Sequence, residues 1–130
     1  RESRIAVCVD QSGSVSDAML VKFYAELNKL ADIVEFDIIP FDSAVGEEHI
    51  YAWKKNQKRE WKRVMYGGTC FDAPTKYVNE AKKYDAMIVL TDMMAPKPKR
   101  CKVPRMWMTD EQNASRPYFN PKPERMVIVV

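Results

Sequence analysis

The stretch Ile5–Ala6–Val7–Cys8–Val9–Asp10–Gln11–Ser12–Gly13–Ser14 constrains the chain more than any other. Its first half is continuously apolar, which suits a strand buried on both faces of a parallel sheet. It then changes abruptly to a carboxylate, two hydroxyls and a glycine. Asp10, Ser12 and Ser14 stand at alternate positions, and in an extended loop alternate side chains point the same way. Converging oxygen donors suit a hard divalent cation. A strand followed by a polar turn and a helix cap is the plainer reading of the same residues.

Beyond Ser14 the pattern turns helical. Ser16 or Asp17 can cap the helix, and Leu20, Phe23, Leu27 and Leu30, with Tyr24 and Ala31 beside them, form one apolar face. Ile33–Phe41 reads as a second strand, with Glu35 and Asp37 predicting one partly wet face. Asp42 follows at its C-terminal end, where open α/β sheets place their sites; it is a turn former or a residue that supports the ligands from behind. Glu48–Trp53 predicts an antiparallel edge strand because the connection is short.

Gly67–Gly68–Thr69–Cys70–Phe71–Asp72 is the second informative stretch. The glycines allow close backbone approach, Thr69 offers a hydroxyl, and Asp72 can cap a helix carrying Tyr77, Val78, Ala81 and Tyr84. Asp85–Thr91 predicts a third strong strand, which ends on Asp92. The proline-rich, basic loop from Met93 to Pro104 is expected to be extended and exposed. Met106–Met108 and Met126–Val130 read as further strands, and Glu111–Pro123 as a loop with at most a short helix.

Strands that alternate with helices call for a mostly parallel sheet covered on both faces. Right-handed crossovers then bring Asp10, Ser12, Ser14 and Asp92 to one crevice at the strand ends, with Thr69 reaching in from a separate loop. Length supports this: 130 residues suit one domain, 1–130, and the start at Arg1 without methionine suggests a fragment of a longer protein. The three cysteines, Cys8, Cys70 and Cys101, have no C-x-x-C spacing, which favours a reducing cytoplasm over a disulfide scaffold. No apolar run is long enough for a membrane helix. A net charge of +3 does not by itself argue for nucleic acid.

The chain resembles a von Willebrand factor A (VWA) domain. The signature of the metal-ion-dependent adhesion site, D-x-S-x-S followed by a threonine and then an aspartate, reads here as Asp10–Ser14, Thr69 and Asp92. The resemblance spans essentially the whole chain. It extends to the bacterial and phage VWA-like domain that follows a metallopeptidase-like region, through Val103–Met108. It implies a three-layer Rossmann-like α/β fold, with a mostly parallel sheet, one antiparallel edge strand and helices on both faces. It also implies Mg²⁺, with Mn²⁺ or Ca²⁺ as substitutes, held by Asp10, Ser12, Ser14, Thr69 and Asp92, with Asp42 and Asp72 in support. The partner would be a protein that presents a carboxylate, such as a AAA+ ATPase or a neighbouring domain of the same polypeptide. Two features run against the pattern. Cys70 stands where relatives often carry aspartate, and the positive end of the helix after Ser14 disfavours a cation.

Catalytic readings are weaker. A haloacid-dehalogenase-type phosphotransferase needs a second acid where Ser12 stands. No Walker loop or dinucleotide fingerprint occurs, and a Cys70–His49 nucleophile pair is remote. A metal-dependent hydrolase could use the same acidic crevice. Nucleic acid could bind the basic segments 54–63 and 97–102, although a solvated face with its tryptophans packed down is the favoured reading of the first.

Overall fold

The computed structural model describes residues 3–130. In chain order the elements are β1 (Ile5–Asp10), α1 (Asp17–Ala31), β2 (Phe36–Phe41), β3 (Tyr51–Trp53), α2 (Asp72–Ala81), β4 (Ala86–Leu90), β5 (Arg105–Asp110), α3 (Glu111–Ala114) and β6 (Met126–Val129). The strands form one sheet in the order β3-β2-β1-β4-β5-β6. All neighbours pair in parallel except β2 with β3.

Alternation along β1 divides the core into two layers. Val7 and Val9 pack with Leu20, Phe23 and Leu27 of α1. Ala6 and Cys8 face the opposite way, with Val78 of α2 and with Phe71, Trp107 and Phe119. Those three aromatic rings meet edge to face, the closest pair with centroids 4.9 Å apart. The helices therefore cover both faces, as expected. Ser16 caps α1 by accepting from the Met19 N–H at 3.2 Å.

Several local expectations are corrected. β2 starts at Phe36, not Ile33, and all six of its residues are buried. Asp37 is not on a wet face: it is 4% exposed and satisfied by Arg4 and by the Tyr84 hydroxyl at 2.8 Å. The edge strand is shorter than Glu48–Trp53, because Glu47–His49 forms a single 3₁₀ turn. Helix α2 ends at Ala81, leaving Tyr84 beyond it, and Asp72 is its first residue rather than its cap. The loop after β4 is pinned, not free. Met93, Ala95 and Cys101 are buried, and the Lys102 N–H donates to Asn79 Oδ1 at 2.8 Å. Trp53, just before the basic segment, is fully buried, but Trp61 within it remains 39% exposed.

Candidate metal centre

The sheet changes direction between β1 and β4, since the chain leaves β1 toward β2 and returns on the other side to form β4. Open α/β sheets bind ligands in the crevice at such a point, outside the carboxyl ends of the strands. Asp10 ends β1 and Asp92 follows the end of β4, so both acids lie at that crevice.

Three aspartates end three adjacent strands, and each closes a local turn with one oxygen. Asp10 Oδ1 accepts from the Ser12 N–H at 2.9 Å, Asp42 Oδ1 from Ala44 at 3.1 Å, and Asp92 Oδ1 from Met94 at 3.1 Å. The turn-forming role expected of such residues is thus real. Their second oxygens differ. Asp10 Oδ2 accepts from the Thr91 hydroxyl at 2.6 Å, and Asp42 Oδ2 from the Gly67 N–H at 3.0 Å. Asp92 Oδ2 is buried and has no hydrogen-bond partner. A buried carboxylate oxygen left unpaired is costly, so its position calls for a ligand.

The D-x-S-x-S loop is not extended. The Val15 N–H donates to the Ser12 carbonyl at 3.1 Å, which closes a turn. That turn, rather than alternation, brings Ser12 Oγ within 3.3 Å of Ser14 Oγ. Ser12 is buried and Ser14 exposed, so the pair leads from the acids to the surface.

Thr69 sits on a loop tied to both neighbours. The Gly13 N–H donates to the Gly67 carbonyl at 3.0 Å, and the Cys70 N–H to the Asp42 carbonyl at 3.0 Å. The close approach explains both glycines. A Cβ on Gly13 would stand 3.0 Å from the Tyr66 carbonyl, and one on Gly67 would stand 2.6 Å from Asp42 Oδ2. Asp42 thereby supports the Thr69 loop. Asp72 points elsewhere: its Oδ1 accepts from the Lys99 N–H at 2.6 Å.

Asp10 is wholly buried, and burial raises its carboxyl from an ordinary 3.8 to about 6. Hydrogen bonds from Ser12 and Thr91 hold the rise back, and the nearby Asp92 charge adds to it. Two buried acids placed at neighbouring strand ends favour a positive counter-charge. Among the described residues no group of three or more His, Cys, Asp and Glu is set to hold a metal. The donors present are two carboxylates with hydroxyls, an all-oxygen set that fits a hard cation such as Mg²⁺ and not a thiophilic one.

Three contributors were not evident from sequence. Thr91, adjacent to Asp92, orients Asp10. Gln11 lies between two expected ligands, yet its side chain is buried against residues 62–65. Arg63 belongs to the basic run read as solvated, but its side chain is only 9% exposed. His49 lies on the 3₁₀ turn, 3.5 Å from Glu48. Lys54, Lys58 and Arg63 pair with Glu35, Asp32 and Asp17, and Arg59 lies over the Tyr51 ring, so much of the basic segment is engaged by the domain itself.

This architecture defines a VWA-type α/β domain. The family described as VWA-like domain (DUF2201) matches residues 5–126, and the chain belongs to that family. No curated protein sequence matches it. Among solved structures it is similar to the ArnB paralog VWA2 from Sulfolobus acidocaldarius, with a TM-score of 0.54 and 17% identity over 82% of this chain and 34% of that one. It is also similar to an aerotolerance-related membrane protein from Bacteroides fragilis NCTC 9343, solved with multiple mutations to serines. There the TM-score is 0.53 and the identity 13%, over 83% of this chain and 66% of that one. The chain thus spans about a third of the first protein and just under two thirds of the second. At these identities the likeness concerns the fold. No helix among the described residues is long and apolar enough to cross a membrane.

Proposed function

We propose that the domain is a protein-binding module whose contact is completed by a divalent cation. Asp10, Ser12, Ser14, Thr69 and Asp92 would hold Mg²⁺, with Mn²⁺ or Ca²⁺ as substitutes. The observation that carries this reading is the buried, unpartnered Asp92 Oδ2 at the sheet's switch point, just past the strand that pairs with the one Asp10 ends. Mg²⁺ keeps exchangeable waters when few protein groups bind it, so a carboxylate from a partner can take an open position.

The chain's own residues supply the rest of the recognition. Asp10 and Asp92 provide buried negative charge, which draws a cation into the crevice. Ser14 is exposed, and the close approach of the Gly13 and Gly67 main chains joins its loop to the Thr69 loop. The partner is a protein with an accessible Asp or Glu, such as a AAA+ ATPase or a neighbouring, metallopeptidase-like domain of the same polypeptide. Binding, not catalysis, is the proposed role, and three unpaired cysteines fit a cytoplasmic setting.

Isothermal titration with Mg²⁺ tests the reading. Wild-type protein should bind one ion saturably, and Asp10→Ala should lose at least tenfold in affinity. Equal affinity in both proteins would rule the site out.

A further inference from the structure

The segment 62–67 is strapped across the metal loop from two directions. Gln11 reaches out from the loop: its Nε2 donates to the Lys62 carbonyl at 2.9 Å, and its Oε1 accepts from the Val64 N–H at 2.7 Å. Arg63 reaches back. Its Nη1 donates to the Gln11 carbonyl at 3.0 Å and lies 3.4 Å from the Ser12 carbonyl and 3.5 Å from that of Met65. Its Nη2 donates to the Val15 carbonyl, and its Nε pairs with Asp17 at 2.9 Å.

One guanidinium therefore bridges the carbonyls on both sides of Ser14 and the first residue of α1. Only arginine offers so many donors in a fixed planar fork; lysine is a point charge on a flexible stem. None of these atoms belongs to an expected metal ligand's side chain. What they fix is the turn that brings the Ser12 and Ser14 hydroxyls together. The same strap runs on through Gly67, which accepts from Gly13, into the Thr69 loop.

We propose that Arg63 is the positioning residue of the metal loop: by holding the Gln11, Ser12 and Val15 carbonyls in one array, it presets the hydroxyl donors for the cation. This rests on the metal reading above. It predicts an effect opposite in sign to simple electrostatics. Removing a positive charge beside the site should strengthen cation binding by Coulomb's law. Loss of positioning should weaken it, because the loop must then be ordered at the cost of binding free energy.

The test is a Mn²⁺ titration followed by the electron paramagnetic resonance signal of the free ion, on wild type, Arg63→Ala, Arg63→Lys and Asp17→Ala. Metal-free thermal melts and amide exchange at Gly13 and Val15 are measured in parallel. Arg63→Ala should bind at least tenfold more weakly, with faster exchange at those amides, and Arg63→Lys should fall between it and wild type. Asp17→Ala, which leaves the carbonyl contacts in place, should stay within about twofold of wild type. Unchanged or tighter binding by Arg63→Ala overturns the proposal, as does a lowered melting temperature with unaltered affinity. An equal loss in Asp17→Ala also overturns it, by assigning the effect to the surface ion pair. Should Arg63→Ala not fold, Arg63→Lys decides: weaker binding at unchanged charge supports the role, and wild-type affinity overturns it. If wild type shows no saturable binding, the metal function fails and this proposal with it. Saturable wild-type binding that the Arg63 variants share sinks this proposal alone.

Discussion

The Thr91 hydroxyl donates to Asp10 Oδ2 at 2.6 Å, joining the ends of β4 and β1 at the point where the sheet changes direction. The Thr91 hydroxyl oxygen in turn accepts from the Met93 N–H at 3.1 Å. Thr91 thereby orients a buried acid and supports the main chain at Met93, a buried residue held at a positive φ of 63°.

Replacing Thr91 with valine keeps the shape and removes both hydrogen bonds. Two buried groups lose a partner, so metal-free stability should fall by about 2–3 kcal/mol. The Asp10 carboxyl should titrate higher still, because one of the bonds that restrains it is gone. Urea unfolding measures the first effect and carboxyl-resolved NMR titration the second. A stability equal to wild type would mean that the hydroxyl is not holding the junction.

Metal-free stability should carry a signature of Asp10. Its folded value, about 6, lies above the ordinary 3.8. A raised carboxyl favours the fold while protonated. Its contribution is therefore complete below the unfolded value and is lost as pH rises through about 6. The difference between 3.8 and about 6 corresponds to about 3 kcal/mol. Asp10→Asn is neutral throughout, so in chelator its stability relative to wild type should improve by up to about 3 kcal/mol between about pH 4 and pH 7.5. Saturating Mg²⁺ at the higher pH should erase that advantage. Denaturant titrations at both pH values decide, and a gap independent of pH contradicts the account.

At the opposite end of the sheet, Asp37 sits among Arg4, Tyr84 and Lys83. Asp37→Ala removes an acceptor for a charged and a phenolic donor, and should cost about 2–4 kcal/mol. Metal affinity should stay within about twofold, since additivity holds for sites that share no partners. Unfolding curves and a Mg²⁺ titration of the same sample test both halves. A large loss of affinity would show coupling along the sheet.

The layered fold was legible because its signals are local. Apolar alternation, helix periodicity and the Ser16 cap each act within a few residues. The expectation that Asp10 and Asp92 stand at neighbouring strand ends followed from right-handed crossovers, and β1 does pair with β4. What sequence could not supply was long-range satisfaction of polar groups. Asp37 read as wet because Arg4 and Tyr84 are distant along the chain. Arg63 read as solvated because its partners are mainly carbonyls, which every residue carries. Gln11 drew no reading from sequence because its buried partners lie more than fifty residues on.

The most direct measurement is anomalous scattering from crystals of this domain soaked in Mn²⁺. The account predicts one strong peak at the switch point, in contact with oxygens from the set Asp10, Ser12, Ser14, Thr69 and Asp92, with Asp92 Oδ2 no longer unpartnered. A peak elsewhere, or none at saturating Mn²⁺ with an open crevice, would contradict it.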